Sequence, residues 1–310
     1  MRLYVLESVM SLETEPRWMP LAPWIFLLTW SAGYGVGKLA LQSTGPLNLL
    51  ALRFVGATLV LLPFVLWFRP KWPAWDAVKD LLVVATFLQL GHFVCVYMGL
   101  SLGASAGVIA LFTASQPVLI AAVSLMLTRH VPPPRIWIGL CVGLAGAAWV
   151  IYVKGEFTDG AILGAFLGFF AVVSLSIGQV YEKRKRPKCH PLLVYVIQYV
   201  YAGLVSVPLA FAIEGYITEW TPSMIGALIY LVLGNSLLGI FVMLTMVRFG
   251  AMSRVTSIMF LVPGLAAVIA WWLVDEIMPV LAWPGIALAA AGVLLVLYAP
   301  VTDAEKQASV

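Results

Sequence analysis

Residues 46–63 read PLNLLALRFVGATLVLLP, and residues 191–208 read PLLVYVIQYVYAGLVSVP. At an offset of 145 residues, seven of these eighteen positions are identical, including the prolines at both ends. A second pair of segments, 133–153 and 279–299, shares seven of twenty-one residues at an offset of 146, among them one Pro, one Trp and two Gly. Apolar composition raises chance identity but does not align Pro, Gly and Trp. The near-constant offset therefore indicates two copies of one unit.

The composition predicts a polytopic membrane protein. Of the 310 residues, 62% are hydrophobic and only 10% are charged, whereas soluble domains carry about 25% charged residues. Runs of roughly 20 apolar residues, the length that crosses a bilayer as a helix, occur ten times. They cover about residues 22–41, 46–68, 80–102, 105–128, 134–153, 160–181, 191–213, 223–247, 254–274 and 280–299. The connections between them are too short to hold a soluble domain.

Each copy of the repeated unit holds five of these runs. Because five is odd, the second copy must cross the membrane in the opposite direction to the first. We therefore predict an all-α polytopic membrane protein whose ten transmembrane helices form two inverted five-helix repeats, residues 21–155 and 156–300, between tails 1–20 and 301–310. Inverted repeats with a substrate site near mid-membrane are typical of many secondary transporters.

The distribution of Lys and Arg predicts the orientation. Fifteen of the eighteen fall in the tails and in alternate loops on one side, Lys154 alone lies in the opposite loops, and Lys38 and Arg53 lie within spans. By the positive-inside rule, both termini are cytoplasmic. The basic segment EKRKRPKCH, residues 182–190, is then expected to face anionic lipid. The net charge of +4 is thus explained by the membrane and not by nucleic acid, which we do not expect as a partner.

Neither a signal peptide nor a cofactor site is expected. The first twenty residues contain acidic side chains and no long apolar run, which is unlike a secretory signal. The three cysteines, Cys95, Cys141 and Cys189, lack metal-binding spacing and are expected to be free thiols. No metal and no cofactor are predicted.

Two prolines stand at the same depth of the two copies. Pro117 lies in the middle of the fourth apolar run, and Pro263, at the same offset of 146, lies in the ninth. Proline removes a backbone hydrogen bond and kinks a helix, and such a defect is tolerated in a membrane where it faces a cavity or packed protein. The pair is interpreted either as two hinges beside a substrate site or as two kinks that only shape packing.

These features resemble the drug/metabolite transporter superfamily, of the EamA type, over about residues 20–300. The resemblance rests on ALRFVGATLV (51–60), on the central prolines of runs four and nine, and on WWLVDEIMPVLAWPGIALAAAGVLLVL (271–297). It implies a bacterial inner-membrane exporter of metabolites, often amino acids, and a possible homodimer contact through spans 5 and 10. The chain departs from the family pattern after span 4, where His130 occupies the offset position of Glu276.

Polar residues inside the spans are the candidates for substrate binding. His92 is the only histidine within a span, Gln89 lies three residues earlier on the same helix face, and Asn235 is the offset partner of Gln89. Two amides at equivalent depth indicate a two-sided site. His92 is interpreted either as a substrate-binding or titrating group or as a neutral side chain with one interhelical hydrogen bond.

Arg53 and several aromatic residues complete the candidate set. Arg53 either attracts a carboxylate or phosphate from the cavity, or reaches the interface or a backbone carbonyl. Trp30 and Tyr34 share one face of span 1, and Trp30 is too central for an interfacial belt. The further candidates are Tyr199, Trp271 and Trp272 as aromatic walls, and Gln116 and Gln179 as polar groups.

We expect a small polar or amphiphilic, amino-acid-like solute to be exported by alternating access at this site. All fourteen acidic residues fall in tails, loops or helix ends, so a cationic substrate would need aromatic faces in place of an ion pair. Quaternary amines such as choline, import, a channel and a lipid scramblase stay open as alternatives. An intramembrane enzyme is disfavoured, because no cluster of acids, pair of histidines or Ser/His dyad lies in the spans.

Overall fold

The computed structural model describes residues 16–127, 134–155, 158–248 and 261–297. In these ranges the chain forms helices, short connections and one isolated bridge between Thr44 and Thr218. The all-helical class predicted from the sequence is therefore confirmed. Three parts of the sequence interpretation lie outside the described residues: positions 1–15 of the predicted N-terminal tail, the C-terminal tail 301–310, and His130.

The helices follow the ten apolar runs closely. In the first half they are α1 Ala22–Ala40, α2 Pro46–Phe68, α3 Trp75–Ser101, α4 in two parts, Ala106–Ala114 and Gln116–Leu127, and α5 Pro134–Lys154. In the second half they are α6 Asp159–Lys185, α7 Pro191–Glu214, α8 in three consecutive parts, Pro222–Ile229, Tyr230–Leu238 and Gly239–Arg248, α9 Val262–Val274, and α10 Trp283–Leu297.

Among the described residues, six helices are long and apolar enough to cross a membrane, namely α2, α3, α5, α6, α7 and α8. The two parts of α4 make a seventh span if they are counted together, although they are bent by 43°. Helices α9 and α10 are shorter and apolar, and residues 249–260 in front of α9 lie outside the described ranges. The multi-pass membrane class is thus confirmed, whereas the count of ten spans stays a prediction.

Local sequence signals explain where several helices begin. Proline stands in the first turn of α2, α7 and α8, where its fixed φ suits the helix and its missing N–H costs nothing. The hydroxyls of Thr158 and Thr221 cap α6 and α8 by accepting from the backbone N–H three residues later.

Helices α3 and α8 each contain a π-helical segment, Thr86–Gly91 in α3 and Tyr230–Leu238 in α8. The two segments start 144 residues apart, close to the offset of the sequence repeat. Gln89 and Asn235, the two amides predicted to lie at equivalent depth, fall within these segments. Such π turns occur frequently at functional sites.

Extensive helix contacts join α5 to α10, α3 to α6, and α2 to α7. Small residues permit the first of these contacts. A Cβ added to Gly146 would lie 2.5 Å from the carbonyl oxygen of Gly285, and one added to Gly292 would lie 2.6 Å from that of Gly139. These glycines therefore let α5 and α10 approach each other closely within one chain.

The two ends of the helix bundle differ in their contacts. The basic end carries loops 69–74 and 186–190, where Asp80 accepts a hydrogen bond from the Tyr181 hydroxyl at 2.7 Å. The opposite end carries loops 41–45, 215–221 and 275–282. Its loops are joined by the Thr44–Thr218 bridge and by a bond from the Glu219 amide to the Ser43 carbonyl at 2.8 Å.

Candidate functional site

A small cavity lies between α1, α2, α3 and α8. Its volume is about 20 Å³, which is room for about one water molecule. Its walls are formed by Trp30, Gly33, Tyr34, Arg53, His92, Phe93, Val96, Tyr97 and Asn235. Five of the residues singled out from the sequence, two aromatic and three polar, therefore meet at one place.

Arg53 is the charged group of this cavity, and only 2% of the residue is exposed. Its Nε donates to the Ser236 hydroxyl at 2.8 Å, one terminal nitrogen donates to the Tyr97 hydroxyl at 2.7 Å, and the other donates to Asn235 Oδ1 at 2.7 Å. The guanidinium also lies over the Phe93 ring, 3.9 Å from its centroid. All these partners are neutral, and no acidic side chain in the described ranges forms an ion pair with Arg53.

Asn235 is held from two sides. Its Oδ1 accepts from Arg53, and its Nδ2 donates to the Thr29 carbonyl of α1 at 3.1 Å. The π-helical segment positions the next residue as well, because the Ser236 hydroxyl donates to the Leu231 carbonyl five residues earlier at 2.9 Å. Asn235 thus connects α1, α2 and α8 at the cavity wall.

A second polar pair occupies the offset positions of Arg53 and Asn235. Gln198 stands 145 residues after Arg53, and Gln89 stands 146 residues before Asn235. The Gln89 amide donates to the Gln198 carbonyl oxygen at 3.1 Å, and both residues are buried. The contact between α2 and α8 therefore recurs between α7 and α3. Gln89 itself is not among the cavity-lining residues.

Tyr199 lies behind the cavity. Its ring stacks on Phe54 with centroids 6.0 Å apart, and its hydroxyl donates to the Ser236 carbonyl at 3.1 Å. Phe54 and Tyr199 stand at the 145-residue offset, so two equivalent positions of the repeat contact each other. Tyr199 supports Ser236, which in turn binds Arg53.

His92 faces the cavity and also joins two helices. It is 2% exposed, and its Nδ1 lies 3.0 Å from the Ala171 carbonyl of α6. Because a carbonyl only accepts, Nδ1 carries the proton in this bond. The interhelical hydrogen bond weighed in the sequence interpretation is therefore present, and the side chain lines the cavity as well.

Aromatic rings make up much of the remaining wall. Trp30 packs against Phe26 with centroids 5.5 Å apart, and Phe93 packs against Tyr97 at 6.0 Å. The Trp30 indole lies beside the Tyr34 hydroxyl, yet its buried Nε1–H makes no hydrogen bond with the described residues. Apart from this contact with the Tyr34 hydroxyl, the buried N–H at the cavity wall has no acceptor among the described residues.

The other predicted site residues lie away from the cavity. Gln116 is buried at the break in α4, and Gln179 is half-buried on α6, eight residues beyond Ala171. Trp271 and Trp272 are largely exposed, at 58% and 81%. These four side chains are not among the residues that line the cavity.

The two predicted hinge prolines both stand in a first helical turn. Pro117 is the second residue of the latter part of α4, directly after the 43° bend at Ser115. Pro263 is the second residue of α9. Neither proline removes a bond from a helix interior at these positions, because first-turn N–H groups have no intrahelical partner. Motion about either proline stays a prediction.

Sequence reasoning did not single out four of the cavity residues, Gly33, Phe93, Val96 and Tyr97. The one available signal was spacing, since Phe93 and Tyr97 are four residues apart on the helix that carries His92. Gly33 lies between Trp30 and Tyr34, and its role depends on the approach of Asn235 from another helix. That approach is not visible in the sequence.

No metal centre is found in the part of the chain that the structure describes, because no three His, Cys, Asp or Glu side chains come together there. At the end opposite the basic loops, a charged cluster of described residues is centred on the carboxylate of Glu276. Glu276 binds Lys38 Nζ at 2.6 Å and Lys154 Nζ at 2.9 Å, and it accepts from the Ala106 amide at 3.2 Å. Glu276 therefore joins the α9–α10 connection to α1, α4 and α5.

Comparisons with known proteins indicate a membrane transporter. The model of the EamA-like transporter family matches the chain twice, over residues 19–152 and 162–298. The uncharacterized transporter YvbV of Bacillus subtilis is 28% identical over 250 residues, which cover 78% of this chain and 79% of the relative. The uncharacterized inner membrane transporter YedA of Escherichia coli K12 is 25% identical over 285 residues, which cover 90% of each.

A solved crystal structure shares the fold. It superimposes with a TM-score of 0.60 at 17% sequence identity, and the match covers 90% of this chain and 96% of that chain. At this level of identity, the likeness is informative about the arrangement of the helices and not about what is carried.

Proposed function

The chain belongs to the EamA-like transporter family, and we propose that it carries a small polar or amphiphilic, amino-acid-like metabolite across the bacterial inner membrane by alternating access. The observation that supports this proposal is the small cavity whose walls combine Arg53, His92 and Asn235 with aromatic rings. Its polar groups come from α2 and α3 of one half and α8 of the other. A site between the halves near mid-membrane is the arrangement typical of secondary transporters.

Two inverted five-helix repeats, residues 21–155 and 156–300, are part of the proposal. The family model matches once in each half. The hydrogen-bonded pair Arg53–Asn235 has its counterpart in Gln198–Gln89, and the π-helical segments of α3 and α8 stand at nearly the same offset. These matches support a twofold relation between the halves, with ten spans in all.

Alternating access would require this small cavity to widen. The cavity has room for about one water molecule, so a metabolite enters only after the helices around it move apart. The bend at Ser115 and Pro117 gives α4 a place to move, and Pro263 would act at the equivalent place in the other half. We propose both prolines as hinges.

The basic end is proposed to face the cytoplasm, which places both termini there. Positive loops on that side support the assignment. The polar contacts at the opposite end, among them those of Glu276, would then close the outer side. The name of YedA, an inner membrane transporter, supports the inner membrane as the location. Export is the proposed direction, as the family resemblance implies.

The properties of the cavity disfavour two alternatives, transport of quaternary amines and a channel or scramblase. Quaternary amines would be repelled by the guanidinium of Arg53, which no acidic side chain of the described residues neutralises. A channel or scramblase would need a continuous polar path, whereas the cavity is small.

A homodimer would form through the outer faces of α5 and α10, because the glycine faces of these two helices already pack against each other.

Counterflow in proteoliposomes tests the carrier. Vesicles preloaded with an amino acid, a quaternary amine, a sugar or a nucleoside are given the same labelled solute outside, and its uptake is followed. Saturable exchange with one class is expected, and empty vesicles and vesicles with Asn235→Leu protein serve as controls. Uptake that rises linearly with concentration and needs no internal solute would contradict the carrier and favour a channel.

A further inference from the structure

We infer that the cavity binds the anionic group of its substrate through Arg53, and that the preferred substrate is an organic monoanion with an apolar body. The inference rests on the proposed function, since it concerns the same cavity. It narrows the substrate class beyond an amino-acid-like solute and excludes cations. The anionic group is a carboxylate or a phosphate, which share the chemistry described below.

The first argument is the charge of the cavity. A buried guanidinium at this depth is costly unless it is paired, and Arg53 is bound only to neutral oxygens of Ser236, Tyr97 and Asn235. No acidic side chain of the described ranges forms an ion pair with it. A monoanion would neutralise the cavity, whereas a zwitterion would leave its charge unchanged.

The second argument is the donors that are left over. A guanidinium carries five N–H groups, and the three hydrogen bonds of Arg53 use one on each nitrogen. One N–H therefore stays on each terminal nitrogen. Two N–H groups on the terminal nitrogens bind a carboxylate or phosphate through two hydrogen bonds when both point into the cavity.

The third argument comes from a different residue. The Trp30 Nε1–H is buried at the wall of the same cavity and has no acceptor among the described residues. A buried donor without a partner costs free energy, and a substrate oxygen would satisfy it. Arg53 has more N–H groups than hydrogen bonds, and the Trp30 N–H has none, so the excess of donors over acceptors favours a ligand rich in oxygen lone pairs.

The rest of the wall selects the body of the substrate. Phe93, Val96 and the rings of Trp30 and Tyr97 present apolar surface to the cavity. No described carboxylate stands ready to hold an ammonium group. An aromatic or branched carboxylate therefore suits the wall better than a polar sugar or an amine.

Four phenyl compounds of nearly equal size separate the charges. At about pH 6, where an α-amino group is protonated, they are 3-phenylpropionate, an anion; L-phenylalanine, a zwitterion; 3-phenylpropanamide, which is neutral; and L-phenylalaninamide, a cation. Binding to the purified protein is measured as the rise in melting temperature with concentration. We expect the anion to bind most tightly, the zwitterion next, and the two amides roughly tenfold or more weaker than their acids. Phenyl phosphate distinguishes a phosphate site from a carboxylate site, and sodium chloride and inorganic phosphate control for simple ions.

The variants Arg53→Gln and Arg53→Lys locate the effect. Arg53→Gln is expected to remove the difference between acid and amide, whereas Arg53→Lys keeps the sign of the preference with weaker binding. The comparison within the wild-type protein does not depend on whether a variant folds. Amides that bind as well as their acids, or equal stabilisation by chloride, would overturn the inference.

Counterflow with the same compounds keeps this inference separate from the proposed function. Exchange of L-phenylalaninamide or choline at least as fast as that of 3-phenylpropionate would leave a carrier whose substrate is not an anion. If the anion bound tightly but no compound were exchanged, the result would support the anion-binding site and contradict the proposed transport by a carrier.

Discussion

Gly33 of α1 lies directly against the side-chain amide of Asn235 in α8. A Cβ added to Gly33 would come within 2.6 Å of Asn235 Nδ2, a distance at which one of the two groups must move. The amide has little freedom to move, because Arg53 donates to its Oδ1 and its Nδ2 donates to the Thr29 carbonyl. The absence of a side chain at position 33 is therefore a condition for the geometry of the cavity.

Gly33→Ala is expected to lower substrate affinity by roughly tenfold and to destabilise the protein by about 1–3 kcal/mol, the usual range for overpacking. The measurements are counterflow rates as a function of substrate concentration and melting temperature in detergent. Gly226→Ala is the matched control, because Gly226 is likewise a helical glycine, in α8, and nothing stands within 4 Å of its added Cβ. Equal behaviour of the two variants would show that Asn235 can move away without consequence.

The sequence predicted the helices better than the contacts between them. Runs of apolar residues set helix length, so every predicted span has a helix at its place, with α9 described only from Val262. The cavity depends on which helix faces meet, and this was accessible only for residues with an unusual side chain, such as Arg53 and His92. Phe93 and Tyr97 look like ordinary apolar or packing residues in the sequence. Their role follows from the contact with Arg53.

The repeat explains why part of the site was predictable. A constant offset relates Gln89 to Asn235, and both were singled out before their helix contacts were known. The offset did not reveal that Arg53 binds Asn235 while Gln198 binds Gln89. The residue types differ between the halves, so one pair carries a charge and the other does not. Only the pair with Arg53 lines the cavity.

His92→Ala is expected to weaken substrate binding roughly fivefold to tenfold and to reduce stability by about 1 kcal/mol, the worth of one hydrogen bond. The stability loss follows from the missing bond between Nδ1 and the Ala171 carbonyl. His92→Asn serves as a second variant with a side-chain donor of similar reach. Cys95→Ala, on the same helix but outside the cavity wall, is the control. Unchanged affinity in His92→Ala alongside reduced stability would make the residue a structural link between α3 and α6.

Glu276→Gln is expected to lower stability at neutral pH by about 3 kcal/mol, the scale of a broken buried ion pair. Glu276 contacts both Lys38 and Lys154, and its side chain is 9% exposed. Burial raises the pKa of Glu276, but the ammonium groups of Lys154 and Lys38 outweigh burial and hold the pKa below its ordinary value of 4.5. The ionised form is thus favoured in the folded protein.

The pH dependence of stability checks the same assignment. Because the pKa is lower in the folded state, the stabilisation by Glu276 is fully present above about pH 4.5 and is lost as the pH falls through the folded-state pKa. The melting temperature of the wild type should therefore decrease steeply as the pH is lowered through this range, and that of Glu276→Gln should decrease less. Glu219→Gln is the control, since Glu219 is exposed at the same end. If the melting temperatures of the wild type and of Glu276→Gln decreased in parallel with falling pH, the ionised carboxylate would not be the stabilising group.

Pro117→Ala is expected to slow turnover severalfold while changing substrate affinity by less than about twofold. The latter part of α4 begins directly after the bend, and the amides of Val118 and Leu119 both bond to the Ser115 carbonyl. An alanine at position 117 supplies an N–H that can donate to the carbonyl of residue 113 four positions earlier. This added bond favours a straight α4 and opposes bending. Pro63→Ala is the control, because Pro63 also lies within a helix but on an exposed face of α2.

Separate measurements of binding by thermal shift and of turnover by counterflow distinguish the two effects. If Pro117→Ala weakened binding and turnover by the same factor, the residue would shape the cavity and would not act as a hinge.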